Sequence, residues 1–158
     1  MKDNISIQRI GELSPYRSVR QTFTDFITEC EDTLGVALRI MNPVFRSIDE
    51  QNRLYAQGRT TEGAIVTNAK GGTSYHNFGL AVDLCELSQD GKEVNWSFDM
   101  ATLEPIAQKY GLEWGGEWVH IKDKPHFEMR MEFAENCSDL IVLPQDENGY
   151  VILPELNA

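Results

Sequence analysis

Apolar residues recur at helical spacing after Ser14-Pro15, where Val19, Phe23, Phe26, Ile27 and Cys30 form one stripe. Ser14 as cap and Pro15 in the first turn start that helix, which runs to about Thr33 and stops at Gly35. Residues 1–14 read as a short extended lead-in anchored by Ile5, Ile7 and Ile10. Residues 36–41 are short, apolar and partly β-branched, which predicts a strand that Asn42-Pro43 breaks. Ser47 with Glu50 three positions on predicts a capped helix to about Gln57, closed by Gly58. A Gly-, Thr- and Asn-rich loop over residues 58–75 follows, and loops of that length in compact domains tend to be functional. Residues 80–87 read as a strand, Gln89 to Lys92 as a hairpin turn, and residues 100–110 as a helix capped by Ser97 or Asp99 and stopped by Gly111. Residues 114–121 and 126–131 are predicted as two more strands, and the tail as a hairpin pairing residues 140–143 with 150–153.

The order is helix, strand, helix, then mostly strands with one intervening helix, and no internal repeat. This is an α+β pattern rather than a βαβ one. With 158 residues there is room for one domain with a real core. Residues 1–135 are taken as that domain and residues 136–158 as a tail packed on it or extending from it.

Apolar residues make up 41% and charged residues 25%, a composition that folds. No apolar run approaches the roughly 20 residues of a membrane helix, so no membrane insertion is expected. Residues 1–9 lack the apolar segment of a signal peptide. A net charge of −11 without any Lys/Arg cluster argues against nucleic acid as a partner. It also argues against simple electrostatic attachment to an anionic membrane or wall. Cys30, Cys85 and Cys137 are odd in number and scattered, unlike a disulfide framework or a Cys-rich zinc site.

The candidate chemistry lies in two segments. In residues 73–84 (TSYHNFGLAVDL), Asp83 sits inside an apolar strand, where a carboxylate must find a cation, a metal or hydrogen bonds. On a strand it shares a face with Ala81 and Cys85, so it can line a cleft opposite the core. His76 lies seven residues before it. In residues 123–128 (DKPHFE), His126 and Glu128 share one face and Phe127 takes the other. His76, Asp83 and His126 thus form a three-ligand set for zinc with a fourth position open to water, the catalytic form of such a site. Asp123, three residues before a ligand, can serve as base to that water, although Asp is also a common turn residue. Glu117 and Glu128 are rival bases, with Glu128 the better partner for an imidazole N–H. His120 is a further cleft or surface candidate.

The pattern Ser74-x-His76-x-x-Gly79-x-Ala81-x-Asp83, followed by Asp123-x-x-His126, resembles the M15 metallopeptidases. It is most similar to the L-alanyl-D-glutamate endopeptidases of phage endolysins and bacterial cell-wall hydrolases. The similarity extends to residues 45–47, 50–60, 66–69 and the Trp114-Gly115-Gly116-x-Trp118 block, covering about residues 11–130.

The resemblance implies a small antiparallel sheet with helices packed on one side and the zinc site in a cleft, as in DD-peptidases and hedgehog domains. It implies zinc on His76, Asp83 and His126, and Asp123 as catalytic base. Arg46 is implied as polariser of the scissile carbonyl, with a helix-entry salt bridge as its alternative. Ser74 and Gln51 would bind substrate or support the loop. Residues 42–45 depart from the Gly-Tyr step usual there.

The expected activity is hydrolysis of peptidoglycan stem peptides at L-Ala–D-Glu by a monomer. D,D- or L,D-carboxypeptidase action and a non-catalytic zinc-bearing wall-binding module are the alternatives. Synthesis in the cytoplasm and action at the cell wall would need a holin-dependent or secretion-system route.

Overall fold

In the computed structural model, which describes residues 1–154 and 156, the first element is a helix rather than a lead-in. Asp3 accepts from the N–H groups of Ile5 and Ser6 and caps α1 (Asn4–Leu13). The buried stripe is Ser6, Ile10 and Leu13, at the spacing of a helix face, while Ile5 and Ile7 are exposed. A serine in that stripe is why apolar periodicity misses the helix. The Ser6 hydroxyl donates to Asp3 at 2.7 Å and accepts from the Ile40 N–H at 2.8 Å, so its burial is satisfied.

The long helix α2 (Arg17–Leu34) ends at Gly35 in the left-handed region. It begins two residues beyond Pro15, because Ser14 closes α1 and its hydroxyl accepts from the Tyr16 N–H. Next come β1 (Ala37–Ile40), a cis Asn42–Pro43 bond, and α3 (Ile48–Ala56), whose cap Ser47 accepts from the Glu50 N–H at 3.1 Å. Beyond the long loop lie β2 (Ala81–Leu87), β3 (Val94–Asn95), α4 (Glu104–Lys109), β4 (Leu112–Trp114) and β5 (His126–Met129). The strands form one antiparallel sheet in the order β1-β2-β5-β4, with β3 hairpinned onto β2.

This is the expected α+β architecture. Phe127 of β5 meets Phe26 of α2 at 5.1 Å between ring centres, so the face with α2 carries the main core. The other face borders a cleft, and α3 and the 58–75 loop wall that side.

Two expected elements differ. The strand predicted over residues 114–121 ends at Trp114, because Gly115-Gly116 turns into a short 3-10 segment and the rest is irregular. Val119 and Ile121 point to solvent there, so their apolar character signals no strand. In the tail, residues 137–140 form a short helix, α5 (Cys137–Leu140), instead of a strand. The turn expected at residues 146–149 is present, but pairing shrinks to a single bridge between Gln145 and Val151. Leu140, Val151 and Leu153 are nonetheless buried. The Tyr16 hydroxyl donates to the Val151 carbonyl and accepts from the Leu153 N–H at 2.8 Å, fastening the tail to the helical side. Among the described residues no helix is long and apolar enough to cross a membrane.

Candidate metal centre

Antiparallel register brings the two chemical segments together. Asp83 on β2 lies directly opposite His126 on β5, so both side chains leave the same face. His76 arrives from a 3-10 turn, Tyr75–Phe78, capped reciprocally by Ser74 and Asn77. Gly79 closes that turn at φ 68°, and a Cβ there would lie 2.4 Å from the Leu13 carbonyl oxygen. Only glycine lets the chain pass from His76 into β2 at this point.

Each imidazole has one nitrogen tied to an acceptor. His76 Nδ1 lies 3.1 Å from the Val44 carbonyl, leaving Nε2 facing Asp83 Oδ1 at 3.3 Å. His126 Nε2 lies 2.8 Å from Glu128 Oε2, leaving Nδ1 facing the same Asp83 oxygen at 3.1 Å. The tied nitrogens carry the protons of the neutral rings, so lone pairs of two nitrogens and a carboxylate oxygen converge. The three ligand atoms all lie within 4.8 Å of one another. A tetrahedral site with bonds of about 2.0–2.1 Å has edges of about 3.3–3.4 Å, close to the two His–Asp separations of 3.3 and 3.1 Å. The donor set therefore fits a divalent metal such as zinc.

Electrostatics follow from that convergence. Burial pushes the Asp83 carboxyl up, but the adjacent His76 and His126 outweigh it and hold it well below the usual range. Burial lowers the His126 imidazole, yet hydrogen bonds to Asp83 and Glu128 carry it up to about 9. Asp123 is raised, first by burial and then by the negative charge of Asp83. A half-buried carboxyl lifted in this way is a stronger base than a free aspartate.

Asp123 is fixed by a tight turn. Its N–H donates to the Gly115 carbonyl at 2.9 Å, and its own carbonyl accepts from the His126 N–H at 3.2 Å. A Cβ on Gly115 would fall 2.6 Å from the Asp123 carbonyl oxygen and 3.2 Å from the His126 Cβ, so the backbone approach needs glycine. Asp123, Arg46, Ser74 and the three metal-site residues all line one cleft of about 740 Å³.

Gln51 does not line it. The residue is fully buried, accepting from Arg46 Nη1 at 2.8 Å and donating to the Ala69 carbonyl at 2.8 Å. Expected as a substrate contact or a loop support, it is the latter, pinning both Arg46 and the long loop. Arg46 Nε is buried without a partner. Among the described residues its guanidinium makes no salt bridge, and it stands at the cleft wall. His120 is exposed and stands apart from the cluster, and Glu117 is likewise exposed.

The sequence points to Glu128 as an imidazole partner, and it holds His126, but the frame behind Glu128 was missed. Glu128 is 2% exposed, and its second oxygen lies 2.8 Å from Arg130 Nη2. Arg130 also pairs with Glu113 at 3.1 Å, and Glu113 accepts from Trp118 Nε1 at 2.6 Å. Glu113 and Glu128 are cross-strand neighbours, and the guanidinium between them offsets their repulsion. Trp118 in turn packs on the His126 ring at 5.2 Å. The signal available in the sequence was the alternation of His126, Glu128 and Arg130 along one strand face. Asn136, Cys137 and Ser138 of the tail also line the cleft, with no sequence signal for that placement.

Residues 67–129, which hold all three metal-site residues and Asp123, match the peptidase M15 family model described as D-alanyl-D-alanine carboxypeptidase. Over that segment the chain is similar to peptidase M15 domains. Among curated proteins, the peptidoglycan L-alanyl-D-glutamate endopeptidase CwlK of Bacillus subtilis (strain 168) is 47% identical over 94 residues, covering 54% of this chain and 56% of CwlK. The chain thus spans little more than half the length of that relative.

Two solved structures share the fold of this chain. The L-Ala D-Glu endopeptidase ChiX of Serratia marcescens has a TM-score of 0.50 at 23% identity, covering 80% of this chain and 87% of ChiX. The LD-carboxypeptidase LdcB has a TM-score of 0.51 at 22% identity, covering 75% of this chain and 68% of LdcB.

Proposed function

We propose that the chain is a zinc-dependent peptidoglycan peptidase that hydrolyses the L-alanyl–D-glutamate bond of stem peptides at the cell wall. The observation that carries this reading is the convergence of His76, Asp83 and His126 beside a raised Asp123 in one open cleft. The 47% identity to CwlK over 94 residues supports the choice of bond.

Zinc held by the two imidazoles and the carboxylate supplies Lewis acidity, which polarises a carbonyl and lowers the pKa of a bound water to about 7. The protein's own groups do the rest. Asp123 takes a proton from the attacking water, a step that its raised pKa favours, and passes it to the leaving nitrogen. Arg46, braced by Gln51, holds the negative charge that develops on the carbonyl oxygen. Val44 and Glu128 keep the imidazoles in the orientation and tautomer that present lone pairs inward.

A second reading, D,D- or L,D-carboxypeptidase action in the same cleft, is favoured by the description of the matching family and by the fold of LdcB. Mass spectrometry of muropeptides after digestion with the zinc-loaded protein separates the two. New termini at L-Ala and D-Glu are expected. Release of a terminal D-alanine alone would establish the carboxypeptidase, and an unaltered wall in the presence of about one bound zinc per chain would leave a binding module.

A further inference from the structure

A second cavity of about 740 Å³ opens on the far side of the wall that carries Asp123. Asp123 lines the metal cleft, whereas its neighbours Lys122 and Lys124 line the second cavity. The floor is aromatic. Trp114 is held rigidly, its Nε1 donating to the Lys124 carbonyl at 2.7 Å and its ring packed so closely on Gly116 that a Cβ there would lie 2.0 Å away. Trp96 lines the same cavity and is 64% exposed, an unusual position for the largest apolar side chain. Phe98 completes the surface.

The polar lining combines Lys122 and Lys124 with Glu117 and Asp99. An anion would not be served by two carboxylates beside the lysines. A wholly apolar ligand would desolvate four charged groups without compensation. A sugar satisfies both: the C–H face of a pyranose packs on an indole, and its hydroxyl and acetamido groups accept from ammonium and donate to carboxylate.

Resting on the peptidoglycan reading above, we propose that this cavity binds an N-acetylated aminosugar of the glycan strand. It would hold the polymer while a stem peptide lies in the metal cleft.

The test uses the zinc-loaded protein, and in parallel its Asp123→Asn variant, titrated with a β-1,4-linked N-acetylglucosamine tetramer and followed by tryptophan fluorescence. Saturable quenching is expected, weakened at least ten-fold by Trp96→Ala, whose side chain is exposed and so leaves folding intact. The same substitution should leave cleavage of a free stem peptide within two-fold of wild type and slow digestion of intact sacculi about ten-fold. Absence of a saturable response, equal binding by Trp96→Ala, or displacement of the tetramer by a free stem peptide would overturn the proposal. Tetramer binding through Trp96 with no stem-peptide cleavage would instead leave the sugar site standing and defeat the peptidase reading.

Discussion

Asp3 and Asp83 are both carboxylates largely withdrawn from solvent, and both are more acidic than a free aspartate, but their surroundings differ in kind. Around Asp3 nearly every contact is a donor: the N–H groups of Ile5 and Ser6, the Ser6 hydroxyl, and two nitrogens of Arg39 at 3.0 and 3.1 Å. Its hydrogen-bonding capacity is consumed by the fold. Around Asp83 the nearest polar atoms are two ring nitrogens whose partner nitrogens are already tied elsewhere, so the inward ones have lone pairs to offer. Acidity alone therefore does not separate a structural carboxylate from a chemical one. Whether its neighbours bring protons or lone pairs does.

Substitutions at the two aspartates should separate along that line. The largest effect is expected for Asp83→Asn, which removes one of three donors. Zinc should fall from about one per chain to a trace by elemental analysis, and hydrolysis should drop by about three orders of magnitude or more, with the circular dichroism spectrum unchanged. Full zinc retention would erase the distinction. Asp3→Ala should do the reverse. Loss of a cap and of a buried ion pair should cost about 3 kcal/mol in urea unfolding, with zinc content of the folded protein unaltered.

Glu128→Gln probes the frame behind one ligand. A 10–100-fold weaker zinc affinity is expected in competition with a chromophoric chelator, the usual scale for such partners. Unaltered affinity would mean that strand geometry alone orients His126.

The smallest effect is in acid. The folded pKa of Asp3, about 2, lies below its ordinary value of 3.8, so its contribution is fully present above about pH 4 and fades as pH falls through about 2. Urea midpoints of wild type and Asp3→Asn should therefore differ at pH 5 and converge toward pH 2. A constant gap would contradict the assignment.

The elements legible in sequence are those whose burial follows one period with intact punctuation. α2 carries a clean apolar stripe and a terminal glycine; β2 is a short apolar run interrupted by Asp83 and Glu86, and β5 alternates His126 and Glu128 with Phe127 and Met129. α1 was hidden because Ser6 occupies a core position and satisfies itself through Asp3 and Ile40. Residues 118–121 misled in the opposite sense, with apolar side chains on an irregular exposed loop.

In the site, the convergence of His76, Asp83 and His126 with Asp123 on one cleft was legible because their spacing is local to two segments. Gln51 was misjudged as a possible substrate contact, and the Arg130–Glu113–Trp118 frame was missed. Their partners come from remote segments, and no local spacing encodes which face meets which loop.

The pairing of Asp83 with His126 has a final consequence, one of parity. Side chains along a strand alternate like even and odd numbers, and the centre exists only while β5 keeps its count against β2. One residue inserted between Pro125 and His126 would exchange the roles of His126 and Phe127, turning an imidazole into the hydrocarbon interior and a phenyl ring into the opening. Two inserted residues would restore the alternation but move the histidine along the strand by about 7 Å. Chemistry here is tied to an integer as firmly as to a residue type.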